Sequence, residues 1–232
     1  MKKQFFFIAS SLLLLTVSSC QNKALYSCNP EIDKWTRSHL AYIHNMTYDD
    51  FLAYNNDINL QKSIYAAMKT EQKIELWKSK ITAVLKLPWN EKERTHIESL
   101  LAIIEKKPYF FDSALHKNNA DEIDLFSYNW INHAKEELGW EDEIYAVGVT
   151  LNSIVMKDGQ IVVIENYAND TSTIKTRSEY ACNCSYNVGC SPKYTCIDHP
   201  CQIVSNCGVL GLSDCTGMCG RYIYCLLYTS DA

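Results

Sequence analysis

The sequence predicts a mainly α protein with a small β-hairpin, an α+β chain that carries a small disulfide-rich module at its C-terminal end. Three observations lead there. Apolar residues recur at intervals of three and four between about residues 29 and 140, the period of helices with one buried face. The pattern then changes to β-branched and aromatic runs on either side of an Asp158-Gly159 turn signal. Nine of the 11 cysteines crowd between Cys182 and Cys225, and only Cys20 and Cys28 precede them.

Residues 1–19 read as a lipoprotein signal peptide. Lys2 and Lys3 form a positive start, and Phe5 to Val17 make an apolar run too short and wrongly flanked for a stable transmembrane helix. Val17-Ser18-Ser19-Cys20 then resembles the lipobox of bacterial lipoproteins. A small Ser19 admits the signal peptidase, and the Cys20 thiol takes the diacylglyceryl group. The competing reading is an ordinary export signal with an incidental cysteine. Two acyl chains anchor stably where one is marginal. The mature chain is therefore expected to start at Cys20, held through lipid on a membrane outside the cytoplasm, with residues 20–28 as a tether. Cys28 is free, bridged elsewhere or paired between chains; its position does not choose.

Residues 29–167 read as a helical domain ending in the hairpin. Asn29-Pro30 offers an N-cap with proline at the first helical position, and Ile32, Trp35, Ile43 and Met46 can share a face. Thr47 can cap a short helix through Phe51 and Leu52. The best-marked helix follows Thr70, with Ile74, Trp77, Ile81, Val84 and Leu85 in its stripe, until Pro88 stops it. Asn90 and Glu93 resemble a capping box for the next helix, whose stripe is Ile97, Leu100, Leu101 and Ile104 and whose end is Pro108. A last helix is expected from Asp121 through Phe126, Trp130 and Leu138 to a C-cap at Gly139. Ile144 to Val155 and Gln160 to Tyr167 are expected as the two strands, packed on the helices because a lone hairpin is marginal in water. The acidic run Glu141-Asp142-Glu143 reads as a polar start to that hairpin rather than a calcium site.

Residues 168–180 are polar and read as an interdomain linker, with Lys175 and Arg177 exposed to a processing protease. The cysteine-rich module spans residues 181–224. Its cysteines are Cys182, Cys184, Cys190, Cys196, Cys201, Cys207, Cys215 and Cys219, an even set of eight. Beyond Val209-Leu210 and their neighbours the segment has little to bury, so hydrophobic burial alone cannot fold it. Four disulfides are the expected state, each worth about 2–4 kcal/mol, with a connectivity that one sequence does not reveal. A zinc site fits less well, because the cysteine pairs lack the C-x-x-C spacing and His199 is the only nearby imidazole. A redox role for Cys182-Asn-Cys184 lacks a surrounding βαβ pattern. Neither a metal nor a cofactor is expected. The closing octapeptide, Cys225 to Ala232, resembles one translated frame of a transposon-end adapter used in preparing sequencing libraries. It is read as an artefactual tail, the alternative being a genuine apolar end with a ninth cysteine.

The ladder Cys182-Asn-Cys184-Ser185, then Cys190, Cys196, Cys201, Cys207, Cys215 and Cys219, is similar to that of the bacteriocin fulvocin C-related lipoprotein family. Members of that family resemble this chain throughout, with a lipoprotein signal, a helical middle and the ladder. The middle elements that match are Glu71-Gln72-Lys73 leading to Trp77 and Lys80, and Trp89 followed by Glu93, His96, Ile97 and Leu100. The closing Cys215-x3-Cys219 is wider than in the bacteriocin itself. The resemblance implies a disulfide-rich, bacteriocin-like module.

The net charge of −5, from 27 acidic and 22 basic side chains without long runs of either sign, argues against nucleic acid as a partner. His39, His44, His96, His116 and His133 are scattered and lack a zincin spacing, so no enzyme is expected. The leading functional expectation is an antibacterial peptide precursor, with the helical part as carrier or propeptide. The alternatives are a surface-binding lipoprotein with a stapled interaction module, and a self-protection factor against a related bacteriocin. Within residues 181–224, Lys193 and Arg221 balance Asp198 and Asp214. A formally neutral peptide lacks the cationic attraction to anionic lipid, so a receptor on a neighbouring cell is the expected partner.

Overall fold

Side-chain caps set several of the helix starts in the computed structural model, which describes residues 26, 27, 29–164, 184, 185, 190, 194–198 and 205–220. Cys20, Cys28, Lys175, Arg177, Cys182, Cys201 and the closing octapeptide fall outside these residues. Helix α1 (Pro30–Ser38) begins where the Asn29 carboxamide oxygen accepts the amides of Glu31 and Ile32. After the short α2 (Leu40–Ile43), α3 (Tyr48–Leu52) opens with a reciprocal box between Thr47 and Asp50. Helix α4 (Ile58–Ala67), capped by Asp57, is not among the helices expected from the sequence. Its buried face holds Gln61 and Ser63 alongside Ile64, Tyr65 and Ala67, which dilutes the apolar stripe.

Helix α5 (Thr70–Val84) buries Leu76, Trp77, Ile81 and Val84 as expected, together with Lys73 and Lys80. The Asn90–Glu93 capping box starts α6 (Glu91–Lys106), and a 3-10 turn follows at Pro108–Phe111. Helix α7 (His116–Leu138) begins before Asp121 and closes at Gly139, whose φ of 69° is the left-handed C-cap conformation.

The expected first strand is partly overturned. Residues Asp142–Gly148 form α8, and only Ile154–Lys157 are strand β1. β-Branched content suggested an extended chain, but Asp142 and Glu143 occupy the first turn, where carboxylates favour a helix N-terminus. Ala146 and Val147 are 1% and 0% exposed, so tertiary burial overrides the local preference. The acidic run therefore starts a helix rather than the hairpin. Strand β2 (Gln160–Val163) pairs antiparallel with β1, Ile154 opposite Val163 and Lys157 opposite Gln160. Asp158 and Gly159, with φ of 54° and 77°, make the two-residue turn that their sequence announces. Ile154, Met156 and Ile161 pack against the helical core.

The C-terminal segment forms two small ladders. Strand β3 (Thr195–Asp198) pairs with β6 (Gly217–Gly220), and β4 (Ser205–Cys207) pairs with β5 (Ser213–Asp214). A 3-10 turn, Val209–Gly211, joins the second ladder. One buried cluster runs from Phe51, Trp77, Leu100 and Trp130 to Val209, Leu210 and Leu212, so the helical residues and this turn share a core. Among the described residues no helix is long and apolar enough to cross a membrane.

Candidate functional site

Six of the eight ladder cysteines pair within the described residues: Cys184 with Cys196, Cys190 with Cys219, and Cys207 with Cys215. The first two bridges interleave along the chain, and the third is nested inside the second. Register explains part of the choice. Cys196 and Cys219 lie opposite each other across β3 and β6, and each bonds away from the ladder, to Cys184 and Cys190. Cys184 is held at this ladder by its own backbone, donating to the Gly217 carbonyl and accepting from the amides of Thr216 and Gly217. A side chain at Gly217 would put its Cβ 2.5 Å from the Ile197 oxygen and 2.9 Å from Cys196 Sγ, so only glycine fits there. The Sγ atoms of Cys184, Cys190 and Cys196 lie within 4.8 Å of one another. Each is already bonded to another sulfur, whereas metal binding needs thiolates.

The module meets the helical body through the turn that follows Cys207. Val209 and Leu210 are 0% exposed and Leu212 2%. Helix α4 packs beside β4, and α7 beside β5. Tyr65 on α4 donates its hydroxyl hydrogen to the Leu210 carbonyl at 3.3 Å and accepts from Trp77 Nε1 at 2.9 Å. The Lys73 ammonium donates to Asn206 Oδ1 at 3.4 Å and sits 5.2 Å from the Tyr65 ring centroid. Lys62 Nζ reaches Cys207 Sγ at 3.8 Å. Asn206 and Leu210 adopt φ of 98° and 55°. A left-handed leucine costs about 1–2 kcal/mol, which the burial of its side chain, at about 1.5–3 kcal/mol, offsets.

Two buried amines lie behind this contact. Lys80 is 1% exposed and donates to the Asn152 carbonyl, while the Asn152 side-chain oxygen accepts from Gln61 Nε2 at 2.9 Å. Burial lowers the Lys80 amine to about 7 and the Lys73 amine to about 8, the latter opposed by the charge of Asp112. Among the described residues neither lysine is in a salt bridge. An amine near neutrality can act as a base or nucleophile, but Lys80 is sealed from any substrate.

Among the described residues His96, His39 and His44 are similarly committed to packing. His96 stacks on Trp130 at 4.6 Å and lies 4.8 Å from the ring of His133; burial, helped by His133, pushes it down to about 4. His39 stacks on Trp35, and His44 Nε2 lies 3.1 Å from the Ala67 carbonyl.

Of the residues singled out by sequence, Cys184, Cys190, Cys196, Cys207, Cys215 and Cys219 thus come together in one stapled unit. Cys20, Cys182, Cys201, Lys175 and Arg177 lie outside the described residues. What the sequence reading missed is the docking contact itself. Its signal was an aliphatic run of the module, Val209-Leu210, which needs a cover that the module does not supply. No protein-family model, no curated protein and no solved structure matches this chain.

Proposed function

We propose that the chain is an exported lipoprotein, anchored through Cys20, that carries a disulfide-stabilised, bacteriocin-like module as an antibacterial peptide precursor, with the helical body as its carrier. The supporting observation is the burial of Val209, Leu210 and Leu212 in the core of the helices. A neutral stapled peptide acts on another cell through its contact surface. Here its apolar turn is covered by the domain to which it is tethered. Burial of three such side chains, at about 1.5–3 kcal/mol each, keeps the module docked after a cut at Lys175 or Arg177, so activation needs both cleavage and undocking. The partner is a receptor on a neighbouring cell, the activity is binding rather than catalysis, and neither nucleic acid, metal nor cofactor takes part.

The test is growth inhibition. The mature chain, with a site-specific protease sequence placed within residues 168–180, is offered intact, cut, cut with the module then separated from the helical body, and separated then reduced, to close relatives of the producing strain that lack this gene. Inhibition by the separated module that vanishes on reduction supports the proposal. No inhibition by any form, with the bridges verified, overturns it. A surface-binding lipoprotein is the second reading, and a cleft between α7 and the module favours it.

A further inference from the structure

Helix α7 faces the module across a cleft of about 450 Å³, within the range of small-molecule sites. From α7 it is lined by Asp124, Ser127, Tyr128, Ile131, Asn132 and Lys135, which recur three or four apart (124, 127 or 128, 131 or 132, 135) on one helix face. Ser185, next to the bridged Cys184, lines it from the module. Two of these side chains are anomalous. Ser127 and Ser185 are 8% and 2% exposed, yet neither hydroxyl oxygen has a hydrogen-bond partner. Hydroxyls withdrawn from water are normally paired, and these two come from opposite walls of the same cleft.

We infer that this cleft binds a saccharide. Each unpaired hydroxyl oxygen is itself withdrawn from the cleft and reaches it by rotation about the Cα–Cβ bond; once turned it can both donate and accept, as can the Asn132 carboxamide, and a polyhydroxylated ring offers the matching groups on several sides. Tyr128, 64% exposed, presents an aromatic ring with no cover of its own. The C–H face of a pyranose carries slight positive charge and is attracted to the negative face of such a ring. Charge argues in the same direction: among the described residues the lining holds one carboxylate and one ammonium, which gives no excess of positive charge to select a phosphate or another strong anion. The rigidity of the wall comes from the bridges, since Cys184 and Cys207 pin the residues that carry Ser185 and the neighbouring Gly208 and Val209. The cleft exists only while the module is docked on α7, and saccharide binding there does not depend on the module having antibacterial activity.

The test is calorimetric titration of the full oxidised mature chain with the methyl glycosides of glucose, galactose, mannose and N-acetylglucosamine, alongside inorganic phosphate and a neutral tetrapeptide. At least one glycoside is expected to bind and to raise the melting temperature. Tyr128→Ala is expected to weaken that binding by about tenfold or more, the equivalent of one lost contact. Ser127→Ala should weaken it similarly while leaving the unliganded melting temperature unchanged or higher, because the hydroxyl it deletes has no partner to lose. A fall in the unliganded melting temperature would mean that the hydroxyl is structurally paired, and would overturn the assignment. So would binding of phosphate or peptide in place of every glycoside, or heat from none of the glycosides.

Discussion

Truncating a single side chain of the stapled module should loosen the helices. Leu210 is 0% exposed and sits in the same cluster as Trp77 and Trp130. Leu210→Ala removes a buried isopropyl group and leaves a cavity, which costs about 2–5 kcal/mol. The left-handed backbone at φ 55° does not change this figure, because alanine and leucine are strained alike there. Leu210→Gly gives a sharper version. Glycine relieves about 1–2 kcal/mol of left-handed strain and adds about 0.5–1 kcal/mol of unfolded-chain entropy, so it should be no worse than alanine. At a position with ordinary φ it would be the worse of the two. The assay is urea unfolding followed by the far-ultraviolet dichroism of the helices, with all disulfides intact. With a slope of about 1–3 kcal/mol per molar urea, the midpoint should fall by about 1 M or more for Leu210→Ala. Ile197→Ala, at a residue 37% exposed, should change stability by no more than about 0.5 kcal/mol. A helical midpoint that Leu210→Ala leaves unmoved would refute the shared core.

Other expectations follow from the same geometry. If all eight ladder cysteines are oxidised, the three assigned bridges leave Cys182 and Cys201 for each other, which peptide mapping of the unreduced protein should find; a free thiol at either position would break the four-bridge scheme. Between about 7, where folded Lys80 titrates, and the ordinary amine value of 10.5 the unfolded chain holds the extra proton, so stability should rise with pH across that window. Lys73 and Lys62, each lowered to about 8 by burial, add to the same slope, and Lys80→Met should reduce it. Tyr48, partly buried and pushed up to about 12, reverses the trend above the ordinary phenol value of 10.0. On the acid side His96, lowered from 6.5 to about 4, makes stability fall as pH drops through that interval, and His96→Phe should remove this loss. Cys20→Ala is expected to move the protein from the membrane fraction to a soluble one or to leave it unprocessed; normal maturation with unchanged membrane retention would refute the lipid anchor.

Local chemistry was legible where one residue type had one use. Asn29 and Pro30, Thr47, the Asn90–Glu93 pair, Gly139 and Asp158-Gly159 each mark the boundary that the fold uses. Illegible features depend on partners distant in the chain. Lys73 and Lys80 lie on the buried face of α5 with Leu76, Trp77 and Ile81, but lysine ordinarily marks a solvated face, and only the Asn152 and Asn206 oxygens account for it. Helix α4 was hidden because Gln61 and Ser63 satisfy their polar groups inside the fold, with Asn152 and Thr36. Helix α8 was read as strand because Ile144 and Val147 carry β preference, which the cover from the rest of the core outweighs. The bridges were foreseeable in kind but not in pairing, since about 105 connectivities are open to eight cysteines. Their selection rests on the β3–β6 register, a contact between segments about 20 residues apart.

The most direct measurement is native mass spectrometry of the oxidised mature chain after a clean cut within residues 168–180, where the protease sequence was placed. Docking through Val209, Leu210 and Leu212 predicts that the helical body and the module remain one complex after cleavage, and that Leu210→Ala separates them. Free module released at once from the unsubstituted chain would contradict a carrier that holds and covers it.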